Sequence, residues 1–293
     1  MALLRWNLLR LSIPNIHPPS INSTLEERQM ALILITGASD GLGRALAEDL
    51  AVSGRHRLLL HGRNAQRLRE VADATGGETF LADFSSLAEV GSLAAEIAGS
   101  YDRLDVLVNN AGVGFHATGT TRELSADGYE LRLAVNYLAP VLLTRKLLSL
   151  LRRGAPSRIV NVASVGQQPI DFDDPHQERG YTDVAAYCRS KLALISHTYD
   201  LAEELAGTGV TVNSLHPALY MPTAMSKRSG MEIVDSLETG VAATRRLVDA
   251  PELADVTGRY FEIEKEARAS EEAYDPEYRR RLGELTRDLL KDF

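Results

Sequence analysis

A doubly wound α/β domain is the fold class this sequence predicts, and three observations predict it. From Ala31 onward, short apolar runs alternate with longer helical patterns. The runs read as strands buried on both faces, as in a parallel sheet covered by helices on either side. The first run also leads through a glycine-rich turn directly into a helical pattern.

The elements follow in order. "ALILIT" (31–36) reads as the first strand and 42–53 as the first helix. "RLLLH" (57–61) and "TFLA" (79–82) read as the next two strands, followed by helical patterns over 64–74 and 86–99. "LDVLVN" (104–109) precedes a long helical pattern over 123–151, and "SRIVNV" (157–162) precedes one over 183–207. "VTVNSL" (210–215) is the sixth strand. The charged stretch from Glu262 to Asp292 reads as a solvated helical face with Leu282, Leu285 and Leu289 on its packed side. No repeat or low-complexity linker divides the chain, so residues 31–293 read as a single domain with a C-terminal helical tail.

Residues 1–30 have a different character. "MALLRWNLLRL" is apolar with Arg5 and Arg10, but Pro14, Pro18 and Pro19 interrupt it before it is long enough to span a bilayer. The expectation is a disordered arm or an upstream start with Met30 as initiator, without membrane association of residues 1–11. The sequon Asn22-Ser23-Thr24 is discounted, since no convincing signal peptide precedes it. At 293 residues, with 44% apolar and 25% charged residues, the chain has ordinary globular composition. A net charge of -8 without a Lys/Arg block argues against a nucleic-acid partner. Cys188, the single cysteine, allows no internal disulfide and no CxxC metal site, which suits a cytoplasmic setting.

Three segments carry chemistry. In "TGASDGLGRAL", Gly37, Gly41 and Gly43 follow a strand and open a helix, letting backbone approach a pyrophosphate at the helix start. Glycines serving only as tight-turn residues are the competing reading. "LVNNAGVG" (107–114) and "NVASVG" (161–166) place small and polar residues at the carboxyl ends of strands, where open parallel sheets bind ligands, although turn chemistry alone explains either. "AAYCRSKLA" sets Tyr187 and Lys191 four positions apart, on one face of a helix.

Taken together, T36-G37-A38-S39-D40-G41-L42-G43, N109-N110-A111-G112, Asn136 in "AVNYLAP", Ser164 and Y187-C188-R189-S190-K191 resemble the short-chain dehydrogenases/reductases over roughly residues 31–265. The resemblance implies a Rossmann-like seven-stranded parallel sheet, a nicotinamide cofactor, a catalytic set of Asn136, Ser164, Tyr187 and Lys191, and a homodimer or homotetramer. It implies cofactor contacts from Gly37, Ser39, Asp40, Gly41, Leu42 and Gly43, from Asn110, Ala111 and Gly112, from Tyr187 and Lys191, and from Pro217 and Thr223 in "HPALYMPT". Asp83 is assigned to the adenine amino group and Phe84 to nearby backbone contact; an Asp83 that merely caps the helix at Ser85 is the competing account.

On this resemblance Tyr187 is the general acid/base, with Lys191 holding the ribose hydroxyls and shifting the phenol towards phenolate from its ordinary value of about 10. Ser164 would hydrogen-bond the carbonyl or hydroxyl oxygen, and Asn136 would hold a water leading from Lys191. Arg63 stands just beyond the second strand with no acid there to grip a 2′-hydroxyl, so NADP(H) is favoured, with Arg44 as a possible helper; Asp40 weighs against this, and NAD(H) stays open. His216 and His197 are read as structural and Cys188 as packed.

The spacing of Ser164 and Tyr187 is longer than in many relatives and resembles the retinol-dehydrogenase-like branch, whose members commonly act on apolar alcohols and aldehydes. The intervening 165–183 segment is expected to select the substrate, with Asp171, Asp173 and Asp174 facing solvent and Ile170, Phe172 and Tyr181 as pocket walls. A segment that only packs on the domain is the alternative. The functional expectation is oxidoreduction of a small, partly apolar alcohol or carbonyl. A cofactor-sensing binding protein and a transiently redox epimerase or dehydratase compete with it.

Overall fold

The computed structural model describes residues 30–293, and the expectations for residues 1–29 lie outside the described residues. Among the described residues, eight strands form one sheet in the order β3-β2-β1-β4-β5-β6-β7-β8. They are β1 (Ala31–Ile35), β2 (His56–Gly62), β3 (Glu78–Leu81), β4 (Val106–Asn109), β5 (Ser157–Val162), β6 (Val210–His216), β7 (Arg259–Glu262) and β8 (Lys265–Ala267). The first seven are parallel, as expected; β8 pairs antiparallel with β7 and adds an edge that the sequence did not suggest. Each of these last strands is too short and too mixed in polarity to stand out, with only Tyr260 and Phe261 of β7 buried.

The helices are α1 (Gly41–Val52), α2 (Ala65–Thr75), α3 (Leu87–Ser100), α4 (Leu131–Arg153), α5 (Asp183–Glu204), α6 (Ala224–Ser229), α7 (Leu237–Asp249) and α8 (Pro276–Leu289). Most begin at a side-chain cap: the Arg67 amide donates to Asn64 Oδ1 before α2, and the Ala185 amide to Thr182 Oγ1 before α5. Such caps typically contribute about 1 kcal/mol.

The reason β1 is apolar at every position lies in its two neighbours. Leu32 and Leu34 join a core with residues of α3, α4 and α5, while Ile33 and Ile35 join a second core with residues of α1 and α7. Ile33, Leu34 and Ile35 are fully buried. Each such side chain contributes roughly 1.5–3 kcal/mol of burial. By length and composition α4 could cross a membrane, but 83% of its apolar window is buried inside the domain.

The long helix starts later than its pattern suggests. Residues 123–130 form a tight turn closed by a bridge between Leu124 and Glu130, with Gly128 at φ +84°. Glu130 then caps α4 by accepting the Leu133 amide at 2.7 Å. Inside α4, Ala134–Leu138 widens to a π turn, in which the Ala139 amide reaches back to the Ala134 carbonyl. The C-terminal tail packs as expected: Leu282 is buried, and Leu285 and Leu289 lie against the core. Tyr137 and Thr286 share a hydrogen bond of 2.6 Å beneath it.

The strand order reverses at β1. β2 and β3 lie on one side of it, and β4, β5 and β6 on the other. The turns after β1 and β4 therefore open on a common crevice at the carboxyl edge, where such sheets bind ligands.

Candidate active site

The turn after β1 is locked to the turn after β4. Thr36 Oγ1 accepts the amides of Asn110 and Ala111, each at 2.9 Å, and the Asn110 side-chain amide donates to the Thr36 carbonyl at 2.7 Å. Gly37 takes φ +68°, and a Cβ on it would come within 2.8 Å of the Ala111 Cα. A Cβ on Gly43 would sit 2.4 Å from both the Gly37 carbonyl oxygen and Asn110 Nδ2. These two glycines are required by the backbone itself, because L side chains rarely adopt the first conformation and cannot fit the second position.

A cavity of about 1220 Å³ runs along this edge. Every residue singled out above for catalysis or cofactor contact lines it except Gly43, Arg44 and Asn136. Gly43 lies behind the turn, packing helix against strand, and the Asn110 side chain is spent on the turn as well.

At the nucleotide end, Arg63 is exposed and lines the cavity. Arg44 does not line it; its Nε instead pairs with Glu48 at 2.8 Å, so the helper role falls away. A residue missed in the sequence takes that place: Arg67 lines the cavity and pairs with Asp40 at 3.4 Å. Asp40 also accepts the Gly41 amide, so its charge is offset within the turn. Asp83 Oδ1 accepts the Ser85 amide at 2.9 Å, which is the local turn foreseen as the competing account; Ser86 is the residue that caps α3. Asp83 nevertheless lines the cavity.

His61 was also not recognised. Its ring stacks on Phe84 with centroids 4.1 Å apart. Nδ1 accepts the Gly37 amide at 3.3 Å while Nε2 faces the Ala82 carbonyl at 3.0 Å. Burial pushes the imidazole down to about 4, so the neutral ring, protonated on Nε2, joins the glycine turn to the end of β3. The only available signal was a histidine closing the apolar run Leu58–Leu60.

At the other end, α5 presents Tyr187 and Lys191 on one face. Lys191 is buried, donates from Nζ to the Val162 carbonyl at 2.8 Å, and lies 5.7 Å from the Tyr187 ring centroid. Burial pulls its ammonium down to about 8. Burial also pushes the Tyr187 phenol up to about 12, against the opposing hydrogen bond with Ser164. This reverses the direction expected from a neighbouring cation: loss of water outweighs the charge. Ser164 is itself held, its Oγ accepting the Gly166 amide at 3.1 Å and its carbonyl accepting the Tyr260 hydroxyl at 3.1 Å.

Asn136 lies in the π turn. Its Oδ1 accepts the Val113 amide at 2.8 Å, and its Nδ2 donates to the Val113 carbonyl and to Ser190 Oγ, each at 3.0 Å. The side chain thus fastens the strand-end segment to two helices. Cys188 is buried with its thiol pushed up by burial, His216 ends β6, and His197 is buried against Tyr137.

The 165–183 segment departs most from expectation. Only its ends reach the cavity, through Val165, Gly166 and Asp183. Asp171 and Asp173 are exposed, but Asp174 is buried, accepting the Glu178 and Arg179 amides at 2.8 and 3.0 Å. None of Ile170, Phe172 and Tyr181 forms a pocket wall. Ile170 and Phe172 pack on Tyr278 of α8, and Tyr181 bonds to Arg132 and Glu130. The walls come instead from residues 113–116, from Leu131, Arg132 and Val135 of α4, and from a lid after β6.

Tyr220 opens the lid at φ +45°, and Asp235 closes it by accepting the Leu219 amide at 2.6 Å. Pro217 lines the cavity just ahead of it. Thr223 caps α6 within it, and its methyl lies 3.2 Å from where a Cβ on Gly41 would stand. Of the lid methionines, Met221 and Met225 line the cavity; Met231 does not and is exposed.

The short chain dehydrogenase family model matches residues 31–233. Human retinol dehydrogenase 13 is 37% identical, with 85% of this chain and 81% of that protein covered. Mouse retinol dehydrogenase 14 is 36% identical, with 88% and 85% covered. Among solved structures, the Pseudomonas aeruginosa RhlG/NADP active-site complex superposes with a TM-score of 0.65 at 28% identity, covering 80% of this chain and 94% of that one.

Proposed function

The chain belongs to the short-chain dehydrogenase family and is an NAD(P)-dependent oxidoreductase acting on CH–OH groups, and from that premise we propose that it uses NADP(H) to interconvert an apolar alcohol and its carbonyl, with Tyr187 as general acid/base. The observation that carries this reading is the single cavity shared by the glycine turn, Arg63, Ser164, Tyr187 and Lys191. The residues fit a dinucleotide: the turn keeps glycine where a Cβ would collide with backbone, and cations line its far end.

A bound nicotinamide supplies hydride to, or accepts it from, the substrate carbon. The phenol of Tyr187, held protonated at neutral pH by burial, donates its proton to the carbonyl oxygen in reduction and recovers it in oxidation. Ser164 Oγ orients that oxygen. Lys191, with its value near 8, keeps most of its charge at neutral pH and stabilises phenolate as it forms. Asn136 positions Val113 on the substrate side.

Arg63 and Arg67, both lining the cavity, favour the 2′-phosphate of NADP(H) through charge-assisted bonds of about 1.5–3 kcal/mol. The apolar character of the substrate is supported by Phe115 beside Tyr187 and by Met221 and Met225 in the same cavity, and by the names of the two relatives, which are retinol dehydrogenases. Cofactor absorbance followed over a panel of alcohols and carbonyls tests the reading. Turnover with NADP(H) exceeding that with NAD(H) is expected; tight cofactor binding without turnover across the panel would replace it with a sensor.

A further inference from the structure

We propose that Arg132 is a positioning residue that sets substrate selectivity by fixing the cavity wall at Gly114–His116 against Tyr187. The proposal rests on the oxidoreductase reading above. Arg132 is almost fully buried on the first turn of α4, between two buried carboxylates. Its Nη2 pairs with Asp183 Oδ2 at 2.8 Å, and its Nη1 lies 3.4 Å from Glu130 Oε1. Its Nη1 also donates to the Tyr181 hydroxyl at 2.6 Å, and that hydroxyl donates in turn to Glu130 at 3.1 Å. Nε donates to the Gly114 carbonyl at 2.9 Å.

That last bond carries the consequence. Asn136, four residues on, holds both backbone groups of Val113, so two side chains of one helix grip consecutive residues of the wall. Asp183 extends the grip by accepting the His116 amide at 3.0 Å, while its own backbone amide donates to the Gly119 carbonyl at 2.9 Å. Between these anchors Phe115 is held with its ring 5.1 Å from that of Tyr187. A Cβ on Gly114 would meet Met225 at 2.5 Å, so the lid rests on the same segment. The wall is therefore set by a buried charged cluster that touches neither the glycine turn nor Lys191, and it determines how much bulk fits beside the phenol.

Removing the guanidinium leaves two buried carboxylates facing each other, which releases the wall. The test compares wild type with Arg132→Gln and with Tyr181→Phe, which takes one hydroxyl from the cluster and keeps every charge. Propanal and decanal serve as short and long carbonyl probes. In Arg132→Gln the preference for decanal in kcat/KM should fall about tenfold or more, through KM, since small displacements of a positioned group carry effects of that size. NADPH affinity, read by its fluorescence, should stay within about twofold, because the cluster bears on the substrate end alone. Tyr181→Phe should move the ratio in the same direction by less.

Hydrogen exchange over 114–119 supplies a readout that needs no turnover, and those amides should exchange faster in both variants while β5 is unchanged. Faster exchange with an unaltered decanal-to-propanal ratio would overturn the proposal, as would unchanged exchange in a folded Tyr181→Phe. An equal loss of NADPH affinity and of activity on both aldehydes would do the same, marking Arg132 as merely structural. A wild type that turns over neither aldehyde nor any other carbonyl fails the oxidoreductase reading, while exchange still decides whether the cluster holds the wall.

Discussion

The nucleotide end of the cavity is made largely of backbone, and the substrate end is made largely of side chains tied across the chain. Around the glycine turn, Thr36, Gly37, Gly43 and Asn110 form contacts whose geometry leaves no room for a Cβ, and the segments involved lie at the ends of adjacent strands. Around the wall, Glu130 and Arg132 come from one stretch and Tyr181 and Asp183 from another, and they meet only in the folded domain. A backbone site announces itself through glycines at fixed offsets. A side-chain site has no local spelling, because any pair of its members is an ordinary charged or aromatic residue.

The sharpest way to separate the two ends is Tyr187→Phe. It should cost about 10² to 10⁴ in turnover while NADPH affinity is kept, as steady-state rates and cofactor fluorescence would show. Activity within a few-fold of wild type would mean that Tyr187 is not the acid. Next in size is Arg63→Asp, expected to change the ratio of NADP(H) to NAD(H) affinity by roughly ten- to hundredfold, measured by titration of each cofactor. Equal affinities already in wild type would remove the basis for that preference.

A pair of glycine substitutions tests the contrast directly. Gly43→Ala drives a Cβ onto the Gly37 carbonyl and should cost about 1–3 kcal/mol in urea unfolding. Gly114→Ala meets only the flexible Met225 side chain and should cost less than about 1 kcal/mol. Similar losses for both would erase the distinction between a backbone-built and a side-chain-built end.

An effect confined to acid is the response of His61. Its folded value, about 4, lies below the ordinary 6.5, so the unfolded chain takes the proton first. Its contribution is intact above pH 6.5 and is lost as pH falls towards 4, at up to about 1.4 kcal/mol per unit. Urea midpoints across that range, compared between wild type and His61→Gln, should converge as the pH drops; parallel curves would show that the ring is not held neutral.

Of the six strands from 31 to 215, β1, β2 and β4 were legible from unbroken apolar runs, as strands covered on both faces require, while β3, β5 and β6 stood out by shorter apolar runs mixed with polar residues. β7 and β8 were not legible, since each is short and mixed in polarity. The start of α4 was misplaced because Leu124 and Tyr129 continue the apolar period through what is in fact a capped turn. Tyr187 and Lys191 were visible from their spacing, whereas the direction of the Tyr187 shift was not: it depends on how completely the folded domain removes water from the phenol. The 165–183 segment was taken for a pocket wall because both ends must reach the cavity, yet its middle turns away to α8.

The wide turn at Ala134–Leu138 acts on α4 as a phase shifter. Each residue advances a helix by about 100°, and a turn with one extra residue offsets everything beyond it by that angle. Ahead of the offset, Arg132 reaches Gly114; beyond it, Leu143, Leu147, Leu150 and Leu151 lie fully buried in the core. Deleting one residue from the turn would restore a uniform pitch and rotate the two halves against each other, so the helix could keep its leucine seam or its hold on the wall, but not both.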